Sequence, residues 1–338
     1  MKFGAVPIDE SLGAIIAHGL TVKGLVLKKG EIVCPHHIFT LREAGIESIV
    51  VAELEADDVE ENTAALHLAR AFAGKNLLVE QPSTGRVNIL AERDGIFVAD
   101  VAAIDRINAV DERITLATLP PMRDVVGGDM VATIKIIPFS VPKMALKEAI
   151  DAASGVKLSI AEFRPLRLGV ISTLLPGLKM SVVTKTLHLL AERIAMTGAK
   201  IVTDERVAHD IPALARAISA VGGASDIVII FGASAISDRR DVIPIAIEES
   251  GGYIIHFGMP VDPGNLLLIA QLGDGTPVLG APGCARSPKE SGFDWVLQRM
   301  LAGVPVTSSN IRRMGAGGLL IENVRRSVTQ ADSYLATG

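Results

Sequence analysis

Aromatic side chains make up only 4% of the 338 residues: nine Phe, two Tyr and one Trp. Surfaces that grip single-stranded nucleic acid rely on such rings for stacking, so a polymer-stacking or lectin-like face is excluded as the main business of the chain. Cysteine is almost as scarce. Cys34 and Cys284 are the only two, too few for a disulfide framework, and they fit a reducing, cytoplasmic compartment. No apolar run approaches the roughly 20 residues that cross a bilayer, and the N-terminus lacks a charged segment followed by an apolar one. The net charge of −5 supplies no general attraction to nucleic acid. The partner expected is therefore a small molecule, with neither membrane nor nucleic acid involved.

What the chain does have is 49% apolar content dominated by small and branched aliphatics, the composition of an α/β protein. Its length exceeds one ordinary core, so several domains are expected. Residues 1–75 read as a small α+β domain, with strand-like runs Leu20 to Leu27 and Ser48 to Leu54 and helices over His37 to Ala44 and Val59 to Ala73. Residues 76–145 read as a small β-rich domain of short runs separated by turns. A helical connector over Met144 to Phe163 leads to residues 160–324, where apolar strands alternate with helices. That rhythm predicts a doubly wound, mostly parallel sheet.

Four Gly/Pro-rich segments in this last region each follow an apolar run: Ser172 to Gly177, Phe231 to Pro244, Gly258 to Asn265 and Gly280 to Ser287. In an open parallel sheet such loops collect along the carboxyl edge, where helix N-termini offer N–H groups to an anion. Thr173 lies in the first. Gly232, Ala233 and Ser234 place minimal side chains after a strand, which lets amides approach a phosphate. Asp238 and Asp241 are spaced to hold Mg²⁺ or a nucleophile, with Asp241 equally suited to cap the following helix. Arg239 or Arg240 is a candidate phosphate contact. Cys284 is open to two readings, nucleophile or small packed side chain, while Ser287 and Lys289 are candidate phosphate donors. The cluster Cys34-Pro35-His36-His37 invites a metal, but without spaced partners it is a weak signal.

The segment Arg240-Asp241-Val242-Ile243-Pro244 resembles the Arg-Asp-Val-Thr-Pro segment of molybdopterin adenylyltransferases. Together with Pro263-Gly264-Asn265 and Gly280-x-Pro282-Gly283-x-x-x-Ser287 it is similar to the molybdopterin-binding domain shared by adenylyltransferases and molybdenumtransferases. In bacterial molybdopterin-binding proteins the likeness extends to Glu10-x-x-Gly13-x-x-x-Ala17-His18, Leu116 to Leu119 and Ile134 to Pro138. The resemblance implies binding of molybdopterin or its adenylate in molybdenum-cofactor biosynthesis. It assigns the pterin pocket to Asp262, Pro263, Gly264 and Asn265, and the phosphate to the Gly232 to Ser234 loop with Pro282, Gly283, Cys284, Ala285 and Ser287. Asp241, Asp238 and Arg240 would serve a Mg²⁺-assisted transferase. The chain departs from those enzymes, with Leu174-Leu175 in place of Gly-Asp-Glu, Gly232-Ala233-Ser234 in place of Thr-Gly-Gly, and Thr184 in place of a helix-initiating aspartate. A non-catalytic carrier serving a nucleotidyltransferase or molybdoenzyme is thus the alternative, and a nucleotide pyrophosphatase of the competence-damage type a third. A homo-oligomer is expected.

Overall fold

The computed structural model describes residues 1–320 apart from positions 23, 153 and 156; the last residues of the expected third domain, 321–324, lie outside that set. Two compact units result, Met1–Ala161 and Glu162–Gly338. The chain is mixed α/β throughout.

The first unit contains separate cores. Strands Lys2–Pro7, Ser48–Glu53 and Ile15–Ile16 form an antiparallel sheet whose core includes Ile8, Leu27, Val33, Leu41 and Val51. The run Leu20 to Leu27 breaks into two paired strands, Leu20–Val22 and Leu25–Leu27. Helix Pro35–Glu43 begins on Cys34, whose N–H donates to His37 Nδ1 at 3.3 Å. The Cys-Pro-His-His cluster thus starts a helix, with Pro at the first position where its missing N–H costs nothing. Helix Glu61–Phe72 packs on a second antiparallel sheet, ordered Ile114–Thr118, Met130–Ile136, Arg86–Ala91, Leu77–Val79. Residues of Arg86–Ala91 alternate between buried and partly exposed, which is the period-2 pattern of a sheet with one face on a core. Two further helices, Val101–Asn108 and Lys143–Ala152, add to this part; the expected connector is helical only to Ala152, and strand Ser159–Glu162 follows.

The second unit is built on one six-stranded sheet. Its elements in chain order are β1 (Arg167–Leu174), α1 (Met180–Ile194), β2 (Lys200–Ala208), α2 (Ile211–Gly222), β3 (Ile227–Phe231), α3 (Val242–Glu249), β4 (Tyr253–Phe257), β5 (Leu268–Gln271), β6 (Pro277–Ala281), α4 (Gly292–Leu301) and α5 (Ser308–Arg312). The spatial order is β2-β1-β3-β6-β5-β4. β2, β1, β3 and β6 run parallel, while β5 is antiparallel to both β6 and β4. All five residues of β3 are buried, the continuous apolar reading of a central parallel strand. α2 and α3 cover a core of Ile171, Leu214, Ile218, Ile230, Ile243 and Leu268. β1 meets α2 closely at Gly169, where any Cβ would lie 2.2 Å from Val221 Cγ1.

β5 is absent from the sequence reading. The stretch Gly258 to Leu267 is too short for a parallel crossover, which needs a dozen residues or more, so the chain turns back and the next strand runs antiparallel. Because β5 starts opposite Gly280 of β6, this turn emerges at the same edge as the carboxyl ends of the parallel strands.

Candidate functional site

All four Gly/Pro-rich segments therefore meet one edge of one sheet. Ser172 pairs with Phe231, and Phe231 with Ala281, so the loops after β1, β3 and β6 leave side by side. The chain order reverses between β1 and β3: β1 is followed by β2 on one side, and β3 lies on the other. Open α/β sheets bind ligands outside the strand ends at such a reversal.

Side chains there form a connected set. Thr173, buried at the end of β1, accepts the Ala233 N–H at 2.8 Å and contacts His209 Nδ1 at 2.8 Å. The other ring nitrogen, Nε2, lies 3.2 Å from Ser234 Oγ. A buried hydroxyl that took both N–H groups would leave its own proton unpartnered, at a cost of about 1–3 kcal/mol. Thr173 therefore donates to Nδ1 and His209 donates from Nε2 to Ser234, which leaves the Ser234 O–H available as a donor. The amide of Ala233, expected at the phosphate, is already committed to Thr173. Gly232 must remain glycine, because a Cβ would sit 2.7 Å from both Ile243 Cδ1 and the Ser234 carbonyl.

Arg286 donates from Nη2 to the Gly232 carbonyl at 2.6 Å and lies 5.8 Å above the Phe231 ring. The turn that carries it, a 3₁₀ segment over Gly283–Arg286, is held from α1. Arg193 donates to the carbonyls of Ala285, at 2.9 Å, and Ser287, and pairs with Asp294 at 2.6 Å. Asp294 in turn caps α4 through Ser291. Burial pushes the Cys284 thiol up from its ordinary value, the reverse of thiolate activation, so its geometry suits packing. Pro282 and Ala285 are buried and Gly283 is exposed.

The Asp238 carboxylate takes three donations from Arg240, from its backbone N–H and Nε to Oδ1 at 2.8 Å each and from Nη2 to Oδ2 at 3.2 Å. These bonds hold it down to about 2. Asp241 N-caps α3, accepting from Val242 N–H at 2.8 Å and Ser237 N–H at 3.4 Å. Among the described residues no group of three or more His, Cys, Asp or Glu side chains comes together for a metal. Two aspartates with these commitments do not fit a pre-assembled Mg²⁺ centre. Asp210 caps α2 through Ala213 N–H at 3.0 Å.

The fourth segment turns at Asp262 to Asn265. The backbone of Asp262 exchanges hydrogen bonds with Gly318 and Leu320, and Gly292 N–H donates to the Pro263 carbonyl at 2.9 Å. Gly264 is buried against α4 and Asn265 is exposed. Two residues that the structure places at this edge were not among the candidates the sequence offered. His209 is signalled only by ending a parallel strand, and Arg286 only by its place inside the Pro-Gly turn.

A family described as a domain of unknown function, DUF8806, matches residues 5–53, within the first unit. No curated protein matches. Among solved structures, a molybdopterin biosynthesis MoeA protein from Pyrococcus horikoshii is similar at 16% identity and a TM-score of 0.31, covering 90% of this chain and 75% of its own. A molybdenum cofactor biosynthesis protein from Pyrococcus furiosus gives 12% identity and 0.25, covering 90% of this chain and 64% of that one. The molybdopterin biosynthesis enzyme MoaB from Thermus thermophilus gives 16% identity and 0.30, covering 41% and 98%. Superpositions this loose carry no argument about chemistry. No helix among the described residues is long and apolar enough to cross a membrane.

Proposed function

We propose that the second unit binds molybdopterin or its adenylate at the carboxyl edge of its sheet, and that the chain acts in molybdenum-cofactor biosynthesis. The observation that carries this reading is the gathering of four resembling segments at the strand-order reversal between β1 and β3. In this reading the sheet is doubly wound: right-handed crossovers leading in opposite directions from β1 and from β2 put α1 and α2 on opposite faces. The Ser234 hydroxyl and the Pro282-Gly283 turn hold the phosphate end, and the Asp262 to Asn265 turn lines the pterin. Native mass spectrometry of the full chain, purified from a molybdopterin-producing host, is expected to show a pterin-phosphate adduct. Its absence at saturating molybdopterin defeats the reading.

The aspartate geometry favours the carrier over the transferase. Asp238 is tied to Arg240, and Asp241 is engaged by backbone, so Mg²⁺ in this account arrives with a nucleotide and is not resident. Asn caps a helix about as well as Asp. Asp241→Asn is thus expected to leave both the melting temperature and molybdopterin binding nearly unchanged. If the wild type turns over adenylated molybdopterin with molybdate and the variant loses that turnover by orders of magnitude, the transferase takes the carrier's place.

A further inference from the structure

Among the described residues, two sets of arginines contrast. Arg113, Arg167, Arg193, Arg206 and Arg240 each pair with an aspartate at 2.9 Å or less. Arg286 and Arg299 lie partly buried with no carboxylate of the described residues within ion-pair distance, and burial pulls both below the ordinary arginine value. A guanidinium taken partly out of water without a counter-charge is costly, and chains keep such a group where something else supplies the negative charge.

The two differ in place. Arg299 sits in the last turn of α4, where helix carbonyls favour a cation, and its Nε is sealed from solvent without a partner among the described residues. Arg286 sits at the carboxyl edge, beside the Gly232 loop. One of its N–H groups is donated to the Gly232 carbonyl, and the Phe231 face beneath supports the guanidinium plane. The remaining N–H groups have no partner among the described residues. In the same loop, the Ser234 hydroxyl is hydrogen-bonded by His209. The Ala233 amide between them is spent on Thr173, so side chains must do what a glycine loop's amides would otherwise do.

We propose that Arg286 is the phosphate-binding cation of this edge, gripping two oxygens of a phosphate monoester or diphosphate through its unused N–H groups. The proposal rests on the reading that a phosphorylated ligand binds here, and its ligand class is a dianionic phosphoryl group. A planar guanidinium meets two phosphate oxygens in parallel, a geometry that an ammonium cannot copy.

The test titrates the full chain with inorganic phosphate and with inorganic pyrophosphate by isothermal calorimetry, at low and high salt. Arg286→Gln is expected to weaken pyrophosphate binding about 10- to 100-fold, the equivalent of one charged hydrogen-bond contact, and to flatten its salt dependence. Arg286→Lys should recover part of the affinity and most of the salt dependence. Equal affinity and equal salt slope in Arg286→Gln, or no binding of either anion by the wild type at millimolar concentration, overturns the proposal. Should Arg286→Gln fail to fold, Arg286→Lys decides by itself: weaker binding with native circular dichroism supports the assignment, and unchanged binding removes it. The two readings separate in molybdopterin loading. A wild type and Arg286→Gln that carry molybdopterin equally well defeat the arginine assignment alone. Arg286-dependent pyrophosphate binding without any molybdopterin loading defeats the pterin reading alone.

Discussion

Replacing Arg193 by Met is expected to lower unfolding free energy by about 3 kcal/mol, the lower end of the range for stripping one partner from a buried ion pair. Its side chain is 12% exposed and that of Asp294 13%, so solvent screens the pair little. The lower end applies because Asp294 keeps the Ser291 N–H and hydroxyl as donors, each at 2.8 Å. What the variant cannot replace is the pair of donations to the Ala285 and Ser287 carbonyls. Those two bonds fasten the Gly283–Arg286 turn to α1, so anion binding should fall along with stability. Urea unfolding at unchanged slope would measure the first effect and pyrophosphate titration the second. A loss below 1 kcal/mol with the turn still competent would show that Pro282 and the core beneath it, not Arg193, fix its position.

The second unit was legible in the sequence because its signals are redundant. β3 is five apolar residues in a row, α2 announces itself with Asp210 before Ile211-Pro212, and the four loops carry their own turn residues. Each local choice agrees with a buried strand followed by a helix. β5 was not legible, because Leu266 to Gln271 follows a turn directly and reads as well as the tail of a loop; only the length of the connection shows that it must double back. The first unit was less legible for a related reason. Its strands are two to seven residues long, and its helix Val101–Asn108 interrupts a region whose turn-rich pattern suggested strands alone, whereas the helix Lys143–Ala152 falls where a helical connector was expected. At the site, residue types gave the loops but not the bonds between them. That Thr173, His209 and Ser234, at or just past the ends of three neighbouring parallel strands, form one line is a consequence of parallel register, which no local pattern encodes.

The larger effect is expected at Gly264. Its φ of 144° lies where side chains are rarely tolerated, and a Cβ there would stand 2.8 Å from the Gly292 nitrogen and 2.9 Å from its Cα. Both obstacles are backbone at the first residue of α4, and neither can swing aside. Gly264→Ala combines backbone strain of about 1–3 kcal/mol with overpacking of similar size, so a loss of about 2–6 kcal/mol is expected. The displacement would fall on the Asp262 to Asn265 turn, which is bound to α4 through Pro263 and to the following segment through Gly318 and Leu320. Stability alone does not say whether this turn touches a ligand. Asn265 does, because it is exposed, and a surface substitution without special features shifts stability by no more than about 0.5 kcal/mol. If the turn lines the pterin, Asn265→Ala keeps the melting temperature and loses molybdopterin affinity, whereas Gly264→Ala loses both. An Asn265→Ala protein that binds as the wild type does would reduce the turn to a brace for α4 and move the pterin away from it.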